Sequence, residues 1–280
     1  METKYSVLMS VYFKENPEFL KLSIDSMIAQ TLKPNEIVII KDGKLTEKLD
    51  EVIKYYSSKY TDLFTIVSLD KNLGLGLALN EGLKKCRNEL VARMDTDDIS
   101  LENRCELQVE EFAKNNKLSI VGTMTNEFYN DPSNIVSSRI VPTKHEDILK
   151  FSRRRSPFNH PTVMYKKAAV LGCGGYHDVK RKEDIDLFVR MLNQGCIAMN
   201  IDKPLLLFRS NEDNFVRRKS WDNCKSYIAV IYDFWKKGYS KTSDLIFVTI
   251  SQLVMFISPL WFLKMLSNTF LRKKEIKIIS

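Results

Sequence analysis

The sequence predicts an α/β sandwich on a mostly parallel central sheet, with C-terminal helices that associate with a membrane. Three observations lead there. Apolar runs with the period of strands alternate with stretches of helical period through residues 5–121. Acidic residues fall at the ends of two of those strands, where open sheets of this kind bind ligands. The basic excess of the chain is confined to its last 78 residues, beside a stretch of nineteen residues without a charge.

Residues 5–10 are a short β-rich run. Pro17 then suits the first turn of a helix that carries Leu20, Ile24, Met27 and Ile28 on one face. The run Glu36-Ile37-Val38-Ile39-Ile40 is a buried type of strand, closed by the turn signal Asp42-Gly43. Residues 64–69 form the next strand, and a glycine-punctuated entry leads to a helix over 75–84. A fourth strand, 89–94, runs straight into Asp95-Thr96-Asp97-Asp98. Cys105, Val109, Phe112 and Ala113 follow at helical spacing, in a helix that begins near Leu101 with Asp98 or Ser100 as its N-cap. A strand at 118–121 closes this half. From 126 to 175, Pro132, Pro142, Pro157, Pro161 and the run Arg153-Arg154-Arg155 predict a loop-rich region with less regular pairing. Helical period returns at Ile185, Phe188, Val189 and Leu192.

With 44% hydrophobic and 28% charged residues in 280, the composition is that of an ordinary globular protein rather than a disordered one. The five cysteines are odd in number, scattered and never spaced C-x-x-C, which argues against a disulfide framework or a zinc site and for a reducing compartment. The first residues lack the basic and apolar regions of a secretory signal. Of the net charge of +8, nothing comes from the first 202 residues, where 29 basic residues balance 29 acidic ones. The remainder holds 14 basic and 6 acidic residues. Such a tail fits nucleic acid or anionic lipid, and its neighbours decide. Residues 245–263 carry no charge, while Lys236, Lys237 and Lys241 precede them and Lys264, Arg272, Lys273 and Lys274 follow. A single span biases basic residues to one side, so the flanks favour a segment lying in one leaflet, broken at Pro259, over a crossing helix. Membrane, not nucleic acid, is the expected partner.

Chemistry concentrates in few places. Asp95-Thr96-Asp97-Asp98 offers three carboxylates at a strand end, suited to a hard cation such as Mn²⁺ or Mg²⁺ whose other ligands are phosphate and water. Helix capping is the ordinary use of the same residues. Glu183-Asp184-Ile185-Asp186 opens an amphipathic helix, where acidic side chains suit the dipole, and one of them is equally suited to act as a base. Gly74-Leu75-Gly76 lacks the third glycine of a dinucleotide fingerprint and serves better as a tight helix entry. His160, between turn residues, reads as structural, and three histidines without a metal motif argue against zinc chemistry.

Taken in order and spacing, these pieces resemble the family 2 glycosyltransferases of the GT-A fold, especially the bacterial O-antigen and capsular polysaccharide branch. The residues that carry the likeness are Ser6-Val7-Leu8-Met9-Ser10-Val11-Tyr12, Gln30-Thr31, Glu36 through Gly43, Asn72-Leu73-Gly74-Leu75-Gly76, Ala92-Arg93-Met94-Asp95-Thr96-Asp97-Asp98, Asn159-His160-Pro161-Thr162-Val163-Met164 and Glu183-Asp184-Ile185-Asp186-Leu187. The resemblance implies a glycosyltransferase domain over 1–218 and a basic, apolar, membrane-associating region over 219–280. It implies that Ser10, Tyr12 and Asp42 line a nucleotide pocket, that Asp95 contacts the ribose, and that Asp97, with Asp98 nearby, holds the metal. Asp184 becomes the base that deprotonates the acceptor hydroxyl. Arg217 and Arg218 face a diphosphate, in the donor or in a lipid carrier.

Two departures stand out. Lys41 replaces the first carboxylate of the family's usual pair before Gly43, and Phe208-Arg209-Ser210-Asn211 lacks the histidine that some relatives give the metal, so metal affinity leans on the diphosphate. The expected reaction is inverting transfer of a hexose or N-acetylhexosamine from a UDP-sugar to a polyprenyl-diphosphate-linked saccharide. It would run at the cytoplasmic face of a bacterial inner membrane, with the protein peripheral or monotopic. Lipopolysaccharide core or a teichoic polymer is the alternative acceptor, and a non-catalytic nucleotide-binding scaffold the alternative class.

Overall fold

Four parallel strands form the first half of the computed structural model, which describes residues 4–179, 181–210 and 219–259. They are β1 (Tyr5–Val11), β2 (Glu36–Lys41), β3 (Phe64–Ser68) and β4 (Leu90–Arg93), side by side in the order β3-β2-β1-β4. Period-two alternation sends Val7, Met9, Ile37 and Ile39 to one face and Leu8, Val38 and Ile40 to the other. Both faces are covered by helices, which is why the strands read as unbroken apolar runs. Helix α1 (Pro17–Ile28) starts where expected: Asn16 caps it by accepting from the Glu18 amide at 2.8 Å, and Leu20, Ile24 and Met27 are buried. Helix α2 (Glu47–Lys59), absent from the sequence reading, is capped by Thr46 and buries only Leu49, Ile53 and Tyr56. Helix α3 (Leu75–Lys85) follows Gly74, whose φ of +86° gives the sharp entry only glycine makes easily. Because β1 lies between β2 and β4, the chain reverses its lateral direction there, and a crevice opens beyond the carboxyl ends of β1 and β4.

The second half corrects the sequence reading in three ways. Ile99 and Ser100 are a short strand, β5 (Ile99–Ser100), so neither Asp98 nor Ser100 caps a helix; α4 (Arg104–Lys114) begins after Asn103. The region expected to be loop-rich is ordered. Strand β6 (Leu118–Phe128) extends seven residues past Val121, followed by β7 (Ile135–Arg139), α5 (His145–Ser152), a 3₁₀ turn (His160–Thr162), β8 (Met164–Lys166) and α6 (Lys167–Gly172). After α7 (Glu183–Asn193), the long β9 (Ile197–Arg209) runs parallel to β6, while β8 pairs antiparallel with both β4 and β6, and β5 antiparallel with β9. The sheet is therefore mixed, parallel only through its first four strands and the β6–β9 pair. The ordering was hidden because β6 buries polar residues. Glu127 accepts from the Ser137 hydroxyl and Asn126 from that of Ser138, each at 2.7 Å, so cross-strand hydrogen bonds replace apolar alternation.

Helices α8 (Trp221–Lys236) and α9 (Thr242–Ile257) pack on α7 through a third apolar cluster of Ile185, Val189, Val230, Ile231, Phe234 and Val248. Fully burying side chains of this size is worth about 1.5–3 kcal/mol each relative to exposure, enough to seat the helical pair firmly. The buried Asp244 adds an ion pair with Arg154. The opposite face of α9 is open: Ile246, Phe247, Ile250, Val254 and Ile257 are exposed, with Trp221, Tyr232 and Trp235 exposed on α8. Among the described residues no helix is long and apolar enough to cross a membrane. Of the charge-free stretch, residues 260–263 lie outside the described residues.

Candidate active site

Strand β4 delivers its acidic turn into the crevice under the hold of two fully buried arginines. Arg93 pairs with the Asp95 carboxylate. Arg104 donates to the Arg93 carbonyl at 3.1 Å, the Pro161 carbonyl at 2.9 Å and the Ser100 hydroxyl at 2.8 Å, tying β4, α4 and the 3₁₀ turn together. Ser23 of α1 donates to the Asp95 carbonyl at 2.7 Å, and the Thr96 hydroxyl donates to Glu15. From the end of β9, Arg209 closes the turn: its backbone amide donates to Asp98 Oδ1 at 2.8 Å and its Nε to the Asp97 carbonyl at 2.9 Å. Its guanidinium lies over the rings of Phe19 and Phe128, 3.8 and 4.6 Å from their centroids.

Negative charge is left in excess here. Burial, then the nearby Asp95 and Glu15 charges, push the Asp97 carboxyl up to about 7. Asp98 is held well above the ordinary range by burial and by Asp97 and Asp95. Its Oδ2 is buried and has no hydrogen-bond partner among the described residues. An orphaned carboxylate oxygen beside a crowded, partly exposed carboxylate fits a hard divalent cation. Among the described residues no three acidic, histidine or cysteine side chains converge as a complete metal cage.

On the nucleotide side, Ser10 is half-buried near the end of β1, and Tyr12 is exposed just beyond it, edge-on to Phe13. Asp42 is buried, and its carboxylate already accepts from the amides of Leu73 (2.7 Å) and Gly74 (3.1 Å), holding the loop that enters α3. Gly43 has a φ of +83°, and a Cβ there would meet the Asn72 nitrogen at 2.7 Å, so the two loops touch. Lys41, which replaces a carboxylate, pairs with Asp50 of α2 at 2.6 Å.

Across the crevice stands the first turn of α7. Its three carboxylates differ. Asp186 is buried and bound to Arg190 at 2.8 Å and to His177 Nδ1 at 3.0 Å, and Arg190 also donates to the Gly175 carbonyl at 2.6 Å. That carboxylate secures the loop before the helix. Glu183 packs against α3, where a Cβ on Gly76 would meet its Cβ at 3.0 Å, and its carboxyl is pushed up to about 7 by burial, then by Asp184 and others including Asp95. Asp184 is partly exposed, with no salt bridge or hydrogen bond to a described residue. Between the two acidic turns lies His160, whose Nε2 is 2.9 Å from the Tyr176 hydroxyl. Burial and then Arg93 press its pKa down to about 4 against the pull of Asp184 and Asp95, so the ring is neutral near pH 7. Asn80 of α3 clamps Tyr176 at both backbone groups, at 2.7 and 2.8 Å.

Of the residues expected from sequence, Asp95, Asp97 and Asp98 come together at the end of β4, with Asp184 facing them and Ser10, Tyr12 and Asp42 along the neighbouring strand ends. Arg217 and Arg218 lie outside the described residues. Sequence reasoning missed Glu15, Arg93 and Arg209 and took His160 for a turn residue. Arg93, His160 and Arg209 stood inside quoted motifs and Glu15 in none, but nothing in spacing marked Arg209 as the partner of the Asp97 turn.

An α/β fold with a Rossmann-like first half and a carboxylate-rich crevice at its switch point is that of a nucleotide-sugar-handling GT-A-like transferase. The chain belongs to glycosyl transferase family 2, whose model matches residues 6–174. It is 36% identical over 256 residues to an Escherichia coli UDP-Gal:alpha-D-GlcNAc-diphosphoundecaprenol beta-1,3-galactosyltransferase, covering 91% of this chain and 92% of that one. It is also 36% identical over 226 residues to the amylovoran biosynthesis glycosyltransferase AmsE of Erwinia amylovora, covering 80% and 83%. Among solved structures, residues 1–349 of S. aureus TarS in complex with UDP-GlcNAc share the fold at a TM-score of 0.64 and 16% identity, over 90% of this chain and 72% of that one.

Proposed function

We propose that this glycosyltransferase moves a hexose or N-acetylhexosamine from a UDP-sugar to a lipid-diphosphate-linked saccharide, with inversion, in the synthesis of a surface polysaccharide. The observation that carries the reading is one crevice holding two unlike acidic sites. The crowded carboxylates after β4 and the first turn of α7 are close enough that Asp95 raises the Glu183 carboxyl and both Asp95 and Asp184 act on His160. The Escherichia coli relative supports the acceptor class, and the β-linkage in its name supports inversion.

In this reading Asp97 and the orphaned Oδ2 of Asp98 hold Mn²⁺ or Mg²⁺. A cation bound there would neutralise the departing nucleoside diphosphate. Asp95, fixed by Arg93, faces the ribose, while Ser10, Tyr12 and Asp42 border the nucleotide, Asp42 by keeping the 72–74 loop in place. Arg209 shields the carboxylate turn from its own repulsion. Asp184 takes the proton from the acceptor hydroxyl as that oxygen attacks the anomeric carbon and the sugar–phosphate bond breaks. One displacement turns an α-linked donor into a β-linked product. His160, neutral and bonded to Tyr176, keeps a second positive charge out of the space between the two acidic sites.

The same reading places α8 and α9 on the cytoplasmic leaflet. The exposed apolar face of α9, the aromatic residues Trp221, Tyr232 and Trp235 and the lysines 236, 237 and 241 suit an interfacial helix pair, where an acceptor with a lipid tail is reached. The test is transfer from a panel of UDP-sugars to synthetic lipid-diphosphate saccharides with Mn²⁺. Mn²⁺-dependent transfer giving a β-linked product is expected; UDP-sugar left intact with every acceptor contradicts the proposal.

A further inference from the structure

Where α5 ends the chain carries three arginines in a row, Arg153, Arg154 and Arg155, at the seam with the α8–α9 pair. Only the middle one is matched. Arg154 pairs with the buried Asp244 of α9 at 2.5 Å, and its guanidinium lies 4.6 Å from the centroid of the Phe247 ring. The Tyr227 hydroxyl of α8 donates to the Arg154 carbonyl at 2.9 Å, so both helices hold the run in place. Against the cost of burial, the Asp244 carboxyl is held below its ordinary range by Arg154, the Lys241 amide and Arg153. One carboxylate thus serves two guanidinium groups. Arg155 is exposed, 5.3 Å from the centroid of the Phe151 ring, and among the described residues neither it nor Arg153 forms a salt bridge. Two guanidinium groups with donors to spare, on a backbone fixed between helices, suit a diphosphate, whose oxygens accept bidentate hydrogen bonds from such planar forks.

What lies on either side of the run defines the rest of the ligand. From Phe247, beneath the Arg154 guanidinium, the exposed side chains of Ile250, Val254 and Ile257 continue along α9 as a stripe of about 15 Å at the helical rise per residue. On the other side stands the first turn of α7. The Lys182 ammonium, two residues before Asp184, lies 4.9 Å from the centroid of the Tyr227 ring. The ring and the hydroxyl of one side chain therefore join the start of α7 to the arginine run. Burial pushes that hydroxyl up to about 12, and Arg155 and Asp184 are the strongest charges acting on it, in opposite senses. The order along the surface is apolar stripe, cations, base. It matches the order of tail, diphosphate and sugar in a lipid-linked saccharide, whereas an ordinary membrane lipid has nothing to offer the base.

Resting on the acceptor class proposed above, we infer that Arg153 and Arg155 bind the diphosphate of the acceptor, with its lipid tail along the apolar stripe of α9 and its sugar at Asp184. The test uses full-length enzyme with short-alkyl and long-alkyl α-GlcNAc diphosphates as acceptor probes. Arg155→Ala removes an exposed side chain that forms no salt bridge with a described residue, so the fold is kept, which a thermal midpoint verifies. Arg155→Ala and Arg153→Ala are each expected to raise KM for the short-alkyl probe about tenfold, the scale of one lost hydrogen bond to a charged partner. Arg155→Lys, which keeps the charge but not the fork, falls between wild type and alanine. UDP affinity measured without acceptor stays that of wild type. Ile250→Ser is expected to abolish the fall in KM from the short to the long alkyl tail, and an undiminished fall overturns the tail path. A short-alkyl KM unchanged in both alanine variants, or an equal loss of UDP affinity, overturns the diphosphate assignment. Weaker sedimentation with anionic vesicles at an unchanged short-alkyl KM overturns it too, and assigns the arginines to bilayer headgroups. Wild-type enzyme that hydrolyses UDP-sugar yet glycosylates neither probe overturns the acceptor class itself.

Discussion

The two acidic turns that face the crevice are built on opposite principles. At the end of β4 the carboxylates are crowded: Asp97 and Asp98 are both pushed upward by burial and by each other's neighbours, and Asp98 keeps a buried oxygen without a partner. At the start of α7 the charges are sorted, with Asp186 consumed by Arg190 and His177, Glu183 packed against α3 and Asp184 left to the crevice. Three carboxylates within four residues occur in both places. What separates a ligand site from a helix cap is whether the lone pairs are already spent.

That contrast is easiest to break at Asp97. Asp97→Ala is expected to reduce transfer to background and to weaken UDP binding when Mn²⁺ is present, as measured by transfer assay and calorimetry. Full activity of the variant in EDTA-treated buffer contradicts a metal role for this residue. The next largest effect falls on the other turn. Asp186→Asn leaves Arg190 buried without its counter-charge, a loss of about 3–5 kcal/mol of stability when one partner of a buried pair is removed. A large drop in melting temperature is expected, with activity per folded molecule retained.

How much of this was legible in the sequence follows from the same chemistry. β1, β2 and β4 bury apolar side chains on both faces, α1 has the cap Asn16 and an apolar stripe, and α3 an apolar stripe after a glycine entry, so they read directly. α2 escaped because Leu49, Ile53 and Tyr56 are its only buried anchors on a polar helix. β6 and β7 escaped because Thr125, Asn126, Glu127 and Ser138 are buried polar residues whose cross-strand partners are invisible to periodicity. The carboxylates of the site were read from motif and strand end. Their controllers, Arg209 at the far end of β9 and Glu15 before α1, join the turn only in the folded chain, which no local spacing reports.

Two smaller effects sharpen the comparison. Asp97 and Glu183 both titrate near 7 in the folded chain, against ordinary values of 3.8 and 4.5. Each binds its proton more tightly when folded, so the stability it contributes is full below about pH 4 and is lost as the pH rises through 7. His160, lowered to about 4, works oppositely, contributing above its ordinary 6.5 and losing that contribution as the pH falls through 4. Metal-free Asp97→Asn is accordingly expected to melt above wild type at pH 8 and level with it at pH 4; equal melting at both values contradicts the crowding argument. On α9, replacing Ile246, Ile250 and Ile257 with serine removes exposed apolar surface that no described residue covers. The expected result is weaker sedimentation with anionic vesicles at an unchanged melting temperature, and undiminished sedimentation contradicts a membrane role for α9.

The central claim is that Asp184, alone among the acidic residues of α7, does the chemistry. Asp184→Asn keeps the size of the side chain and its capacity to suit the helix terminus. Removing a general base costs on the order of 10²–10⁴ in rate, whereas a lost helix cap costs about 1 kcal/mol of stability. The measurement is kcat, UDP-sugar affinity and melting temperature on one preparation. A fall in kcat of that order with affinity and melting unchanged is expected; near-normal kcat contradicts the account and passes the role of base to Glu183.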